Sequence, residues 1–316
     1  MSMPTPPSSV PSPGSTTTEP AESAGASRQA GPWTTIGLLT TTARWLQQRA
    51  VDSPRLAAER LLAHVLECKR VDLYLDTERP LTEPELAPYR ELVRAHAAGT
   101  PLQYLVGETE FMGLSFHTDA RALIPRPETE IMVDTLVKQW SGSSRPLRVL
   151  ELGAGSGAVA ISLAVLLPHL EVWSTEVRPE AAALAGANAR RHEVESRVHV
   201  LVMDRFSALS TELVDSFDAV VSNPPYVRTG ELESLPAVVR DHEPHVALHG
   251  GADGLDFHRT LCAQGAAFLT SGGTLAVEIG ATQGASVRDL FADAGLHGVR
   301  IVQDYAGLDR IVLGLR

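Results

Sequence analysis

Apolar residues in the first third of the chain recur every three or four positions, which is the spacing of one face of an α-helix. Ser53 is predicted as an N-cap, followed by Pro54 at the first helical position. Thr82 and Glu85 form the pattern of a capping box, and the helix that they open is expected to end near Gly99. The pattern predicts a bundle of about four helices over residues 34–102. Because this segment has no cluster of acid–base groups, its expected role is substrate recognition.

The pattern changes at Gln103, where short segments replace the helical stripe. Residues 103–108 and 111–117 are predicted as short strands, which gives a linker with a β-hairpin over residues 103–125. A helix through Trp140 is expected next, and strands then alternate with helices, which implies a parallel sheet with right-handed crossovers. The predicted strands are Leu147–Leu152, Val172–Glu176, Val198–Asp204, Phe217–Ser222 and Thr274–Ile279, and the predicted helices cover about 157–167, 179–192, 255–270 and 283–294.

The last two predicted strands, Val299–Gln303 and Arg310–Leu315, are separated by only six residues. So short a connection cannot hold a helical crossover, and the pair is therefore expected to be antiparallel. A mostly parallel seven-stranded sheet that ends in an antiparallel hairpin resembles the Rossmann-like fold of class I methyltransferases. The predicted fold class is α/β, with this methyltransferase domain over residues 126–316, preceded by the small α-helical bundle domain and the short β-hairpin linker.

Composition and charge exclude several classes of protein. The 316 residues contain 27 Lys+Arg and 38 Asp+Glu, a net charge of −11. Residues 1–105 carry −1 of this charge, which leaves −10 for residues 106–316. This balance disfavours a nucleic-acid binder, whose affinity comes from basic residues on phosphates. No apolar run approaches the roughly 18 residues that a membrane span needs, so no membrane association is expected.

Residues 1–33 are predicted to form a disordered tail. The first 32 residues hold 7 of the 21 prolines and are otherwise mostly Ser, Thr, Gly and Ala. Such a segment buries too little apolar surface to offset the entropy lost on ordering. It lacks the basic start and apolar stretch of a signal peptide, and a cytoplasmic location is expected.

Cysteine and histidine give no reason to expect a metal. The two cysteines, Cys68 and Cys262, are too few for a disulfide framework or a cysteine-based zinc site, and their apolar helical surroundings predict core thiols. Four histidines crowd the segment after residue 240, with spacings that fit no standard zinc pattern. They are interpreted as solvent-facing loop residues: His242, His245, His249 and His258.

A glycine-rich loop follows the first strand of the predicted sheet and opens a helix. It contains Gly153, Ala154, Gly155, Ser156 and Gly157. Glycines let the backbone turn sharply and approach a ligand closely, and the helix start offers free N–H groups. The loop favours S-adenosylmethionine, but together with Ala158 it also satisfies the dinucleotide pattern G-x-G-x-x-G/A, so a nicotinamide or flavin cofactor stays open.

Two acidic residues end the next two strands at the same edge of the sheet. Glu176 ends the second strand, where its carboxylate could accept both ribose hydroxyls of a nucleoside. Asp204 ends the third, where it could accept a hydrogen bond from the adenine amino group. Both are therefore candidate cofactor-binding residues, although acidic side chains at strand ends can also be merely solvent-exposed.

The fourth strand is followed by Asn223, Pro224, Pro225 and Tyr226, which are the candidate catalytic and substrate-binding residues. A primary amide nitrogen is a poor nucleophile because its lone pair is delocalised into the carbonyl. The Asn223 side-chain oxygen and the Pro224 carbonyl could accept both of its N–H hydrogens and hold it in line with a methyl donor. Tyr226 could pack against a planar substrate group, and no general base is required before transfer.

These motifs resemble the release factor glutamine methyltransferases, the HemK/PrmC family. Asn-Pro-Pro-Tyr with residues 151–157 is similar to the amino-group branch of class I methyltransferases. The linker and the stretch Leu-Ile-Pro-Arg-Pro-Glu-Thr-Glu at 123–130 narrow the resemblance to this family. Further matching stretches lie at residues 243–248, 250–256, 278–280 and 309–314, and the resemblance covers roughly residues 36–316.

The resemblance implies methyl transfer from S-adenosylmethionine to the glutamine side-chain amide in the Gly-Gly-Gln motif of bacterial-type class 1 release factors. It places the cofactor on the glycine loop, Glu176 and Asn223, and the glutamine on Asn223–Tyr226. Two positions depart from the family pattern: Glu176 stands where Asp is usual, and Arg205 precedes Phe206 where an aromatic often covers adenine. Either Arg205 or Phe206 could contact adenine.

Two alternatives of other classes stay open. One is a methyltransferase that acts on exocyclic amines of DNA or rRNA, which the charge of residues 106–316 disfavours. The other is a nicotinamide-dependent oxidoreductase, or an inactive binding module, built on the same glycine loop.

Overall fold

The computed structural model describes residues 33–316, so the predicted tail lies outside the described residues apart from Trp33. Trp33 already belongs to the folded chain, because its carbonyl accepts a hydrogen bond of 2.7 Å from the Leu81 backbone N–H. The division of the chain into domains at the predicted boundaries stays a prediction.

The N-terminal part is the expected helical bundle, with one element that differs from its prediction. Its helices are α1 (Thr35–Gln47), α2 (Pro54–Val65), α3 (Glu83–Ala97) and α4 (Leu102–Val106), with a 3₁₀ turn at Arg70–Tyr74. The capping box of α3 is formed, since the Thr82 N–H donates to the Glu85 carboxylate over 2.8 Å. Ser53 precedes α2 in a left-handed conformation, and its side chain makes no capping hydrogen bond.

Residues 102–106 form α4, so the strand predicted over residues 103–108 is wrong for most of its length. Pro101 precedes this single turn, and Gly107 ends it at φ +78°, a conformation that favours glycine. Leu105 and Val106 turn towards the apolar core of the bundle instead of joining a sheet. The β-hairpin begins directly after Gly107 and consists of β1 (Glu108–Phe111) and β2 (Leu114–His117).

The remaining strands form the predicted seven-stranded sheet, in the order β5-β4-β3-β6-β7-β9-β8. The pairs among β3 to β7 are parallel, and β9 is antiparallel to both β7 and β8, which confirms the C-terminal hairpin. The strands are β3 (Leu147–Leu152), β4 (Leu170–Glu176), β5 (Val198–Val202), β6 (Phe217–Ser222), β7 (Leu269–Glu278), β8 (His297–Gln303) and β9 (Asp309–Leu315).

Helices cover both faces of this sheet. The longer ones are α5 (Pro127–Trp140), α6 (Ala158–Leu166), α7 (Pro179–Arg191) and α11 (Gly284–Asp293), with shorter α8 (Ala237–Arg240), α9 (Asp256–Thr260) and α10 (Ala266–Phe268). The helix predicted over 255–270 is thus interrupted, by a π-helical turn at Leu261–Gly265. Neighbouring residues of β3 face opposite sides of the sheet. Val149 packs in the core that α5 and α6 cover, and Leu150 packs in the core that α11 covers.

The strand order places a cleft at the carboxyl edge of β3. Along the chain, β4 and β5 are added on one side of β3, and β6 and β7 on the other. Such a reversal opens a crevice outside the carboxyl ends of the strands, where ligands bind in open α/β sheets. The glycine loop follows β3, Asn223 follows β6, and Glu176 is the last residue of β4, so all three lie at this crevice.

Candidate active site

A cavity of about 430 Å³ lies at this edge of the sheet. Its wall includes most of the residues predicted to bind a cofactor or substrate: Gly153, Ala154, Gly155, Ser156, Glu176, Asp204, Arg205, Asn223 and Pro225. The other four predicted residues, Gly157, Phe206, Pro224 and Tyr226, are not part of this wall. Sequence motifs that are far apart in the chain therefore meet around one space.

The glycine loop takes conformations that favour glycine and leaves an open cradle. The φ angles of Gly153, Gly155 and Gly157 are +81°, +54° and +82°. A Cβ atom at Gly153 or Gly155 would meet no atom within 4 Å, so these two positions face open space. At Gly157 a Cβ atom would lie 2.8 Å from Ile161 Cδ1 and 3.2 Å from Ala185 Cβ, so this glycine lets α7 pack closely behind the loop.

Glu176 is held at the cavity wall by two backbone donors. The Gly155 N–H donates to Oε2 over 2.9 Å, and the Arg178 N–H donates to Oε1 over 3.0 Å. Each carboxylate oxygen can accept more than one hydrogen bond, so both keep capacity for ligand hydroxyls. The carboxylate is thereby placed beside the glycine loop, as the sequence predicted for a ribose-binding acid.

Glu151 is a buried acid of the cavity wall, and no pattern in the sequence indicated a role for its side chain. Its carboxyl group is 2% exposed and accepts a hydrogen bond from the Ser174 hydroxyl. Burial, assisted by the nearby negative charge of Glu176, raises the pKa of Glu151 to about 8. This acid is therefore largely protonated at neutral pH, and it brings little negative charge to the cavity.

Of the two candidates for contact with adenine, only Arg205 lines the cavity. Its backbone turns through φ +50°, and Phe206 points back into the core, where its ring stacks on Phe268 at 5.2 Å between centroids. The Arg205 guanidinium pairs with Asp204 over 2.9 Å and lies 5.4 Å from the ring centroid of Phe257. Phe257 is thus an aromatic side chain of the cavity wall beside Arg205, and no motif in the sequence singled it out.

A chain of hydrogen bonds connects Asn223 to the start of α5 and the end of β7. Asn223 Nδ2 donates to the Thr129 hydroxyl over 2.9 Å, and that hydroxyl donates to Glu278 Oε2 over 2.5 Å. The Tyr226 hydroxyl donates to the other oxygen, Oε1, over 3.3 Å. Burial raises the pKa of Glu278 to about 7, and burial beside Glu278 raises the pKa of Tyr226. No pattern in the sequence indicated a role for the side chain of Thr129 or Glu278.

The backbone of the Asn223–Tyr226 loop is fixed by its neighbours. Gln283 Nε2 donates to the carbonyls of Tyr226 and Gly254, over 3.1 and 3.2 Å. Gly250 packs so closely that a Cβ atom there would lie 2.7 Å from the Pro225 carbonyl oxygen. These contacts hold the carbonyls of the loop in one direction, which is what a hydrogen-bond acceptor for a substrate requires.

Arg126 anchors the segment that precedes α5 by pairing with a buried carboxylate. Its guanidinium lies 2.6 Å from Glu243, which is almost fully buried. Glu243 also accepts a hydrogen bond of 3.3 Å from the Ile124 N–H. The ion pair therefore holds the segment before α5 against the loop that contains Glu243 and lines the cavity.

The histidine and cysteine interpretations hold in part. His258 is wrong as a solvent-facing residue: it lies on α9, is fully buried, and one ring nitrogen is 2.9 Å from the Glu278 carbonyl. Cys262 is a core thiol, and burial raises its pKa to about 12, whereas Cys68 is only half-buried. None of the helices between Trp33 and Arg316 combines the length and apolar character that a membrane span requires.

Fold and site together define a class of protein. A seven-stranded sheet in this order, with a glycine loop after β3 and Asn-Pro-Pro-Tyr after β6 around one cavity, is that of a class I methyltransferase. The chain matches the PrmC N-terminal domain over residues 37–107 and the methyltransferase small domain over residues 127–240. It belongs to the release factor glutamine methyltransferase family, as its similarity to individual relatives shows.

Two of these relatives are named release factor glutamine methyltransferase. The protein from Geobacter sulfurreducens is 40% identical over 282 residues, which is 89% of this chain and 96% of that protein. The protein from Chlorobaculum tepidum is 38% identical over 283 residues, with 88% and 96% covered. Among solved structures, the hMettl16 catalytic domain in complex with the MAT2A 3'UTR hairpin 6 is 15% identical, with a TM-score of 0.52 over 74% of this chain and 82% of that one. That likeness shows the fold alone.

Proposed function

We propose that this chain transfers a methyl group from S-adenosylmethionine to the N5 side-chain amide of the glutamine in the Gly-Gly-Gln motif of peptide chain release factors. The observation that carries the proposal is the position of the Asn223–Tyr226 loop. It borders the cavity that the glycine loop and Glu176 also line. Family membership supports this substrate, because the curated relatives bear the name of that activity.

The residues of the cavity fit S-adenosylmethionine. The open cradle at Gly153 and Gly155 leaves room for a ligand beside the backbone, and Glu176 is held where it can accept ribose hydroxyls. Asp204 and Arg205 border the part of the cavity proposed for adenine, together with Phe257. Once bound, the cofactor supplies an electrophilic methyl group on a sulfonium. The protein's part is to present a nitrogen to it.

Asn223 and Pro224 supply the two acceptors that an amide nitrogen needs. Asn223 Nδ2 is engaged by Thr129, so its Oδ1 is the atom available for an N–H of the substrate. In the proposal the Pro224 carbonyl accepts the second N–H, which orients the lone pair of the nitrogen towards the methyl group. The proton leaves after transfer, so no side chain has to remove it beforehand. Tyr226 is held by Glu278 beside this position.

Substrate recognition is assigned to both parts of the chain. We assign the helical bundle to binding of the release factor, and the charge of −10 on residues 106–316 fits a protein substrate better than DNA or rRNA. No direct nucleic-acid contact and no membrane contact are proposed. The proposed place of action is the cytoplasm, where release factors work.

The test is methyl transfer from labelled S-adenosylmethionine to a purified release factor. The Gly-Gly-Gln glutamine is changed to alanine in a parallel reaction, and DNA and rRNA serve as further acceptors. Label in the wild-type factor alone is expected. Equal label in the Gln→Ala factor would contradict the assigned acceptor, and label in nucleic acid would favour an exocyclic-amine methyltransferase. Thermal stabilisation by NADH but not by S-adenosylhomocysteine would contradict the cofactor.

A further inference from the structure

Asn223 is one end of a directional chain of hydrogen bonds. Its Nδ2 donates to Thr129 Oγ1, and Thr129 Oγ1 donates to Glu278. All three groups belong to different elements: the loop after β6, the start of α5 and the end of β7. Thr129 and Glu278 are 4% and 1% exposed, so the protein itself supplies their hydrogen-bond partners.

The direction of this chain decides which end of the Asn223 amide faces the cavity. A hydroxyl has a single hydrogen, and in Thr129 that hydrogen is taken by the carboxylate of Glu278. Thr129 can then only accept from Asn223, so it selects Nδ2 and excludes Oδ1 from its side of the amide. If Glu278 did not accept this hydrogen, the hydroxyl could turn and donate to Oδ1, and the amide could rotate.

We infer that Thr129 and Glu278 are positioning residues, which fix the Asn223 amide with Oδ1 towards the reacting nitrogen. An amide turned the other way would present N–H hydrogens to the N–H hydrogens of the substrate and repel it. The inference rests on the proposed function, in which Asn223 accepts a hydrogen bond from the substrate. It adds two residues that act through Asn223.

The protonation state of Glu278 controls whether Thr129 holds the Asn223 amide in this orientation. Its carboxyl group faces Thr129 on α5 and the Tyr226 hydroxyl. The charges of Glu128 on α5 and Arg310 on β9 also act on it, with opposite signs. His258 on α9 contacts only its backbone carbonyl. Protonated Glu278 has a hydrogen of its own to donate to Thr129, which removes the reason for the hydroxyl to point away from Asn223.

The first test compares two substitutions of Thr129. Thr129→Val keeps the shape and removes the hydroxyl, whereas Thr129→Ser keeps the hydroxyl. We expect Thr129→Val to lower kcat at least about tenfold and Thr129→Ser to stay within about threefold of wild type. The Kd for S-adenosylhomocysteine, measured by calorimetry, should change less than about threefold in both. Equal kcat in the two variants, with equal melting temperatures, would overturn the inference.

The second test is the pH profile of Glu278→Gln. A glutamine oxygen can still accept from Thr129, but it does not titrate. Wild-type kcat should fall as the pH drops below about 7, the pKa of Glu278, and Glu278→Gln should lose this acid limb. An acid limb that persists in Glu278→Gln would overturn the inference. Wild-type enzyme that methylates no Gly-Gly-Gln glutamine would instead contradict the proposed function, so the two failures are distinguishable.

Discussion

Gly250 is a position where one added methyl group should displace the proposed acceptor loop. A Cβ atom added there would lie 2.7 Å from the Pro225 carbonyl oxygen, 2.8 Å from Tyr226 Cα and 2.9 Å from the Gly254 carbonyl oxygen. All three are backbone atoms, which cannot rotate out of the way as the end of a long side chain could. Gly250→Ala must therefore displace the loop that carries Asn223 and Pro224, or Gly250 itself.

The expected size of the effect follows from these distances. Ordinary carbon–carbon contacts are about 3.5–4.0 Å, so relief requires a shift of roughly half an ångström or more. Overpacking of this kind costs about 1–3 kcal/mol of stability, and a misplacement of about 1 Å at a reacting group can cost a hundredfold in rate. We expect kcat of Gly250→Ala to fall about 10- to 100-fold, with a melting temperature lower by several degrees.

Gly230→Ala provides the matched control for this experiment. Gly230 lies in the same loop region, but a Cβ atom there would meet no atom within 4 Å. Methyl transfer to a release factor is measured for both variants well below their melting temperatures, together with the Kd for S-adenosylhomocysteine. If Gly250→Ala stays as active as Gly230→Ala, the claim that the backbone position of Asn223–Tyr226 governs the reaction is refuted.

Three further variants or residues test other parts of the site. Asn223→Ala should lower kcat at least about a hundredfold while cofactor binding weakens only partly, and a fully active variant would disprove the role of this amide. Because the folded state raises the pKa of Glu151 to about 8, its stability should fall as pH rises from about 4.5 to about 8. The melting temperature of Glu151→Gln minus that of wild type should therefore be larger at pH 8 than at pH 5. If this difference is the same at both pH values, the buried-acid assignment is refuted. Cys262, with its pKa raised to about 12, should resist thiol reagents in native protein at pH 8, and its rapid labelling would contradict its burial.

The sequence correctly predicted those elements whose pattern extends over a long stretch of the chain. The sheet strands from Leu147 onwards alternate with helices over a long stretch, and each was found within a few residues of its expected position. Residues 103–106 were misassigned because so short a segment, apolar except for Gln103, fits one helical turn as well as a strand. The difference lies in how this run packs against the helical bundle, which periodicity does not contain.

Site residues could likewise be predicted only where a local pattern determines their position. The glycines and the acidic residues at strand ends could be predicted because their position in the chain fixes their position at the edge of the sheet. Thr129 and Glu278 lie 149 residues apart, and only the packing of α5 against β7 brings them together. Arg205 and Phe206 also stayed open as contacts for adenine, because the sequence does not reveal the left-handed backbone at Arg205 or the packing of Phe206 on Phe268.

The most direct measurement of the central claim is mass spectrometry of the release-factor peptide that contains Gly-Gly-Gln, after reaction with wild-type enzyme and S-adenosylmethionine. Our account predicts a mass increase of one methylene group, located by fragmentation on the glutamine side-chain amide. It also predicts no such increase with Asn223→Ala. Methylation at another residue of the peptide, or an unmodified glutamine with fully folded enzyme, would contradict it.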